Sequence, residues 1–144
     1  MANLIIAKMS LSAPQSIVQN ADVFVFLDAV DFDPYGCVNL SDSQIVAPAG
    51  VNWVRGAAQM EFAQNSAGTR EMFISANMPA GDPADFEYAL VLDFVRASTG
   101  RHVQNVCSHW HPCVPGDVFS FVVFQTTTAA LNLLTATMSI EFRK

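Results

Sequence analysis

In LLTATMSIEFRK (Leu133–Lys144), apolar and polar residues alternate almost without interruption. Leu134, Ala136, Met138, Ile140 and Phe142 fall on one side, and Thr135, Thr137, Ser139, Glu141 and Arg143 on the other. Successive side chains leave a pleated backbone on opposite sides, so a period of two is the signature of a strand with one buried face. The same reading carries inward along the chain. In VNWVRGAAQMEFAQ (Val51–Gln64), Val54, Ala58, Met60 and Phe62 oppose Arg55, Gln59 and Glu61; in FEYALVLDFV (Phe86–Val95), Phe86, Tyr88, Leu90, Leu92 and Phe94 share one side.

DVFVFLDAV (Asp22–Val30) and DVFSFVVFQ (Asp117–Gln125) are apolar on both sides, and Phe and Val favour strand over helix. These two runs suit inner strands of a sandwich or a subunit contact. Between the runs lie DFDPYG, APAG, NSAGTR, MPAGDP, STGR and VPGD, whose Gly, Pro, Asn and Asp supply the dihedral angles that reversals need. The spacing predicts an all-β chain, an antiparallel β-sandwich of eight to ten strands. In the NSAGTR segment, Gly68 is expected to close a hairpin with Arg70 starting the return strand. Residues 1–20 read as an N-terminal arm or a first strand, and residues 21–144 as one domain.

The chain has 144 residues, enough for one core that folds without staples. Half of it is apolar (51%), with eleven Phe, while only 14% is charged against roughly 25% in typical soluble domains. So apolar a surface is expected to be covered, most simply by copies of the chain itself. A net charge of −6 with only seven Lys and Arg argues against binding nucleic acid or anionic lipid. The apolar run near the N-terminus is broken by Lys8 and no run approaches the ~18 residues of a spanning helix, so no membrane partner is expected. Three cysteines, an odd number, fit synthesis in a reducing cytosol better than a disulfide framework.

CSHWHPC (Cys107–Cys113) is the one segment that suggests a metal. On a continuous strand Cys107, His109, His111 and Cys113 would share a face, but at ~3.3 Å per residue the two cysteines stand about 20 Å apart, too far to share one zinc ion. His109 and His111 are the weak candidates for a metal, alone or around a threefold axis. Against that stands a plain strand with Trp110 in the core and Pro112 at its end. Asp28, Asp31 and Asp33 cluster near a turn and are a weak calcium candidate. No nucleophile elbow, phosphate loop or HExxH motif occurs, so no enzyme activity and no cofactor is expected.

FDPYG (Phe32–Gly36), IVAPAGVNWV (Ile45–Val54), FAQNSAGTREMFI (Phe62–Ile74) and PGDVFSFVVFQ (Pro115–Gln125), in this order, resemble the jelly-roll trimers of the tumour necrosis factor and complement globular-head superfamily. The likeness spans roughly residues 22–144 and is greatest to the short versions on bacteriophage particles. Where that family usually carries a tyrosine after the turn glycine, this chain has Asn52-Trp53. The resemblance implies a homotrimer and a role as a structural virion protein of a tailed bacteriophage. That role is a capsid decoration or cement protein stabilising the head, with the major capsid protein as partner and the virion surface as location. Ile5, Ile6, Phe119, Phe121 and Phe124 are then the candidates for trimer or capsid contact. The rival readings are a receptor- or glycan-binding head-fibre or tail-tip module, with Asp33, Tyr35, Asp82 and Asp85 as loop candidates toward a host surface receptor, and a metal-dependent jelly-roll enzyme.

Overall fold

The computed structural model describes residues 4–77, 89–96 and 102–144. These residues form β-strands and no helix. In chain order the strands are β1 (Ile5–Ser10), β2 (Gln15–Ile17), β3 (Val23–Phe24), β4 (Ala29–Phe32), β5 (Val38–Asn39), β6 (Gln44–Val46) and β7 (Trp53–Phe62). They continue with β8 (Thr69–Ala76), β9 (Ala89–Arg96), β10 (His102–Cys107), β11 (His111–Pro112), β12 (Val118–Gln125) and β13 (Leu131–Arg143). Eight of the thirteen have four residues or more, within the expected range. The other five are pairings of two or three residues, too short to leave a periodic trace in a sequence.

Two antiparallel sheets make the sandwich. The first has the order β10-β7-β13-β1-β4, with β11 also beside β7 and β2 beside β13; the second has the order β5-β6-β12-β8-β9, with β3 also beside β12. The spine of the first sheet is β13, which pairs with β7 from Leu133↔Phe62 to Arg143↔Trp53 and with β1 from Ser10↔Thr137 to Ile5↔Phe142. Residues 5–10 are thus a strand inside a sheet, paired on both sides. A register shift between Leu133 and Thr135 makes one correction. Leu133, not Leu134, turns into the core, after which Ala136, Met138, Ile140 and Phe142 are buried as the alternation predicts.

Apolar side chains from the two facing sheets fill the interior. Val54, Ala58, Met60 and Phe62 of β7 meet Met72 and Ile74 of β8 and Phe119, Phe121 and Val123 of β12 in one cluster. The rings of Phe119 and Phe142 lie 5.8 Å apart at a tilted angle, a favourable edge-on geometry. Burial of Phe119 and Phe121 inside one chain, together with Ile5, corrects their assignment to a subunit or capsid contact. Strand parity turns the three toward the partner sheet. On the other side of β12, Val122 is buried opposite Phe73, so the run is apolar on both faces as expected.

At one position the sheets approach too closely for any side chain. A Cβ on Gly56 would lie 2.6 Å from Ile74 Cδ1 and 3.1 Å from Leu90 Cδ2 of the opposite sheet. Gly68 has φ +74 and sits against the Thr126 backbone, as a turn glycine must. The turn, however, is not a hairpin. β7 belongs to the first sheet and β8 to the second, so residues 63–68 form a corner between sheets. Arg70 braces it. Its fully buried guanidinium donates to the carbonyls of Thr69 (2.9 Å), Ala67 (3.0 Å) and Asn65 (3.3 Å) and lies 5.7 Å from the Phe62 ring. Burial pulls its pKa below the usual arginine value.

Candidate functional site

The face of the first sheet turned away from the core is only half covered, and its side chains follow from the register. One row across β1, β13, β7 and β10 reads Lys8, Ser139, Ala57 and Cys107. The next reads Ser10, Thr137, Gln59 and Asn105. These short side chains leave an open groove of about 440 Å³. On the other side of the Lys8 row comes Ile6, Glu141 and Arg55, and at the end of the sheet Arg143, Trp53 and Pro112.

Two arginines and both tryptophans of the chain gather at that end. Arg55 Nε donates to Glu141 Oε2 (2.9 Å), and its Nη2 lies 2.7 Å from the same oxygen. The Arg55 guanidinium carbon is 5.2 Å from the centroid of the Trp110 ring. The Arg143 guanidinium carbon is 4.6 Å from the Trp110 ring and 5.8 Å from Trp53, so it contacts both indoles by cation–π attraction. Trp53 remains 38% exposed. No carboxylate lies within ion-pair distance of Arg143 among the described residues.

An interruption in the CSHWHPC segment puts Trp110 there. β10 ends at Cys107, and Ser108 turns inward: its N–H donates to Gly56 O (2.8 Å), and its hydroxyl accepts from Gly56 N–H (2.9 Å) and donates to His109 O (2.8 Å). One serine so satisfies both backbone groups of Gly56 while the next two residues leave the ladder. Pairing resumes at β11, with His111 beside Val54 and Pro112 beside Trp53. The segment is therefore not one continuous strand, and Trp110 is half-buried on the outer face, not in the core as expected. The break also separates the cysteines: Cys107 is exposed beside the groove, whereas Cys113 is buried. Burial, with Asp117 adding to it, pushes the Cys113 thiol up to about 11; burial and Asp33 push Cys37 to about 11 as well. His109 is exposed and His111 half-buried, and no three His, Cys, Asp or Glu side chains converge on a metal-sized site among the described residues.

The other candidates are dispersed. Ile6 is half-buried on the outer face of the first sheet, and Phe124 is half-buried on the outer face of the second. Asp33 receives the N–H groups of Cys37 and Val38 (both 2.8 Å) and so ties its own turn; Tyr35, 58% exposed, projects from it. Asp28 is held by the Ser12 hydroxyl and N–H, which lower its pKa, and Asp31 takes Ser10 Oγ (2.7 Å) and Lys8 (3.3 Å). Each of the three carboxylates has its own partner, and they do not point at a common ion. Asp82 and Asp85 lie outside the described residues. The Trp53–Arg143–Trp110 cluster was not visible in the sequence because Trp53 and Trp110 are 57 residues apart, Trp110 and Arg143 33 apart, and only strand register brings them together; the rarity of tryptophan was the sole signal.

The fold has solved counterparts. A TNF, Eiger, from S. frugiperda superposes with a TM-score of 0.60 at 9% identity over 98% of this chain and 92% of that one. Murine APRIL gives 0.67 at 10% identity over 96% and 98%. The globular domain of zebrafish complement 1qA gives 0.62 at 9% identity over 97% and 96%. The chain has the TNF and complement globular-head type of jelly roll. No protein-family model and no curated protein matches the sequence.

Proposed function

We propose that the chain is a non-enzymatic module that works as a homotrimer, and that its setting is a bacteriophage capsid surface, where it decorates the head against the major capsid protein. The likeness to TNF and complement globular heads supports a recognition or structural role over a catalytic one. The observation that carries self-association is the placement of exposed apolar side chains on both edges of the first sheet. Val30 (45% exposed) and Phe32 (52%) stand on β4, and Val103 (51%) on β10. Each of these strands is paired on one side only among the described residues, which leaves backbone donors and acceptors for a neighbour. The two edges differ, so a contact between them is heterologous, the type that closes into a three-membered ring when each copy is rotated by about 120° from the last. The capsid setting rests on the sequence resemblance.

Light scattering on the purified chain tests the first part. A mass of three 15.6 kDa chains is expected, falling to one in the Phe32→Asp, Val103→Asp double variant. A monomeric wild type would refute it. Copy number on purified particles tests the second: hundreds per head are expected, and a handful would place the protein elsewhere on the particle.

A further inference from the structure

Arg55 and Arg143 lie at one end of the first sheet, and they are not equivalent. Arg55 is neutralised by Glu141 at 2.7 Å. Arg143 is held by two indole faces, 4.6 and 5.8 Å from its guanidinium carbon, with no carboxylate within ion-pair distance among the described residues. Stacking uses the face of a guanidinium and leaves its N–H edge, a planar fork that matches a carboxylate with two parallel hydrogen bonds. The indoles restrict the rotation of the side chain, so little freedom remains to be lost on binding. Trp53, still 38% exposed, offers an apolar flat surface beside that edge.

We propose that Trp53, Trp110 and Arg143 form a binding site for a carboxylate-bearing saccharide, a uronic or sialic acid unit. The guanidinium edge of Arg143 takes the sugar carboxylate, and the apolar face of the pyranose rests on Trp53. Two features favour a singly charged carboxylate over phosphate. Glu141 stands one row away and repels a dianion more strongly than a monoanion, and the planar fork of Arg143 matches the two coplanar oxygens of one carboxylate. An acidic peptide shares the carboxylate but lacks the flat, C–H-rich ring face that suits an open indole. The site lies apart from the Val103 edge: Val103 pairs with Glu61, and Trp53 is at the opposite end of the same strand, roughly 26 Å away at 3.3 Å per residue.

Both tryptophans of the chain are in the site, so their fluorescence reads occupancy of the full-length protein directly. Titration with a glucuronic-acid-containing tetrasaccharide and with sialyllactose is expected to change the emission saturably for at least one of them. The same sugars with carboxyls reduced to alcohols are expected to bind at least tenfold more weakly, as is Arg143→Ala with the intact sugars. Arg143→Lys, which keeps the charge and loses the fork, is expected to recover only part of the affinity. Equal binding of the reduced sugars, an equal response to hexaglutamate or inorganic phosphate, or unchanged affinity in Arg143→Ala would each overturn the site. Solution mass is measured on the same samples. Wild type that keeps its oligomeric mass and binds neither sugar overturns this site alone, and an Arg143→Ala chain that changes mass makes the cluster a subunit contact instead.

Discussion

Arg70 and Arg143 are the same side chain on an aromatic ring in two parts of one sandwich, and they do opposite things. Arg70 is fully buried at the corner between the sheets, and its Nη1 and Nη2 donate to three backbone carbonyls while its Nε is buried with no hydrogen-bond partner among the described residues. Arg143 is half-buried at the end of the outer face, with ring contacts and no acid partner among the described residues. A buried charge is tolerated when hydrogen bonds replace its water, and it then serves structure. A charge held at the surface with free donors is available to a ligand. The cysteines repeat the contrast: Cys37 and Cys113 are interior and Cys107 lies open beside the groove.

The strongest way to break the comparison is Arg70→Met. It leaves the carbonyls of Asn65, Ala67 and Thr69 without their donor, and a loss of about 3 kcal/mol is expected in urea unfolding. A change under about 1 kcal/mol would show the corner to be held by the backbone alone. Arg70→Lys should recover little, because one ammonium cannot span the same acceptors.

The interior thiols give the next effect. Their folded pKa, about 11, lies above the unfolded value of 9.0. The folded state therefore keeps protons that the unfolded chain releases, so this contribution to stability is whole below pH 9 and is lost as pH rises toward 11. Unfolding free energy measured from pH 8 to 11 should fall, and the fall should flatten in a Cys37→Ala, Cys113→Ala double variant. At pH 8, an alkylating agent should label Cys107 alone in the native chain; rapid labelling of all three would contradict the buried positions.

Arg143→Ala should lower stability by about 1 kcal/mol, since partly exposed cation–π contacts are worth roughly that each at most. A loss as large as that for Arg70 would make the tryptophan cluster a structural brace. The smallest change sharpens the contrast further. Glu141→Gln removes a partly exposed ion pair worth no more than about 1 kcal/mol, and the protein should fold as before. It also frees a second cation, so affinity for an acidic saccharide should rise severalfold in the fluorescence titration.

Much of the sandwich was legible in the residues because alternation records burial directly. Val54 to Phe62 and Ala136 to Phe142 face the core as their pattern states. The failures share one cause. The bulge that exchanges Leu133 for Leu134, the break at Ser108 that sends Trp110 outward, and the corner mistaken for a hairpin are all changes of partner, and a strand's own pattern does not name its partner. Three of the five contact candidates, Ile5, Phe119 and Phe121, failed likewise. Phe119 and Phe121 look alike whether they face a second sheet or a second subunit, and only packing shows the former.

By itself, the sequence determined that this chain is all β, that its faces divide into apolar and polar, and where it turns, because side-chain periodicity and turn chemistry are local properties. Tertiary structure alone decided which strands are neighbours, and hence that Trp53, Arg143 and Trp110 meet on one face while Arg70 closes a corner. Those contacts join residues distant along the chain, and their energies depend on burial and geometry that exist only once both sheets are in place.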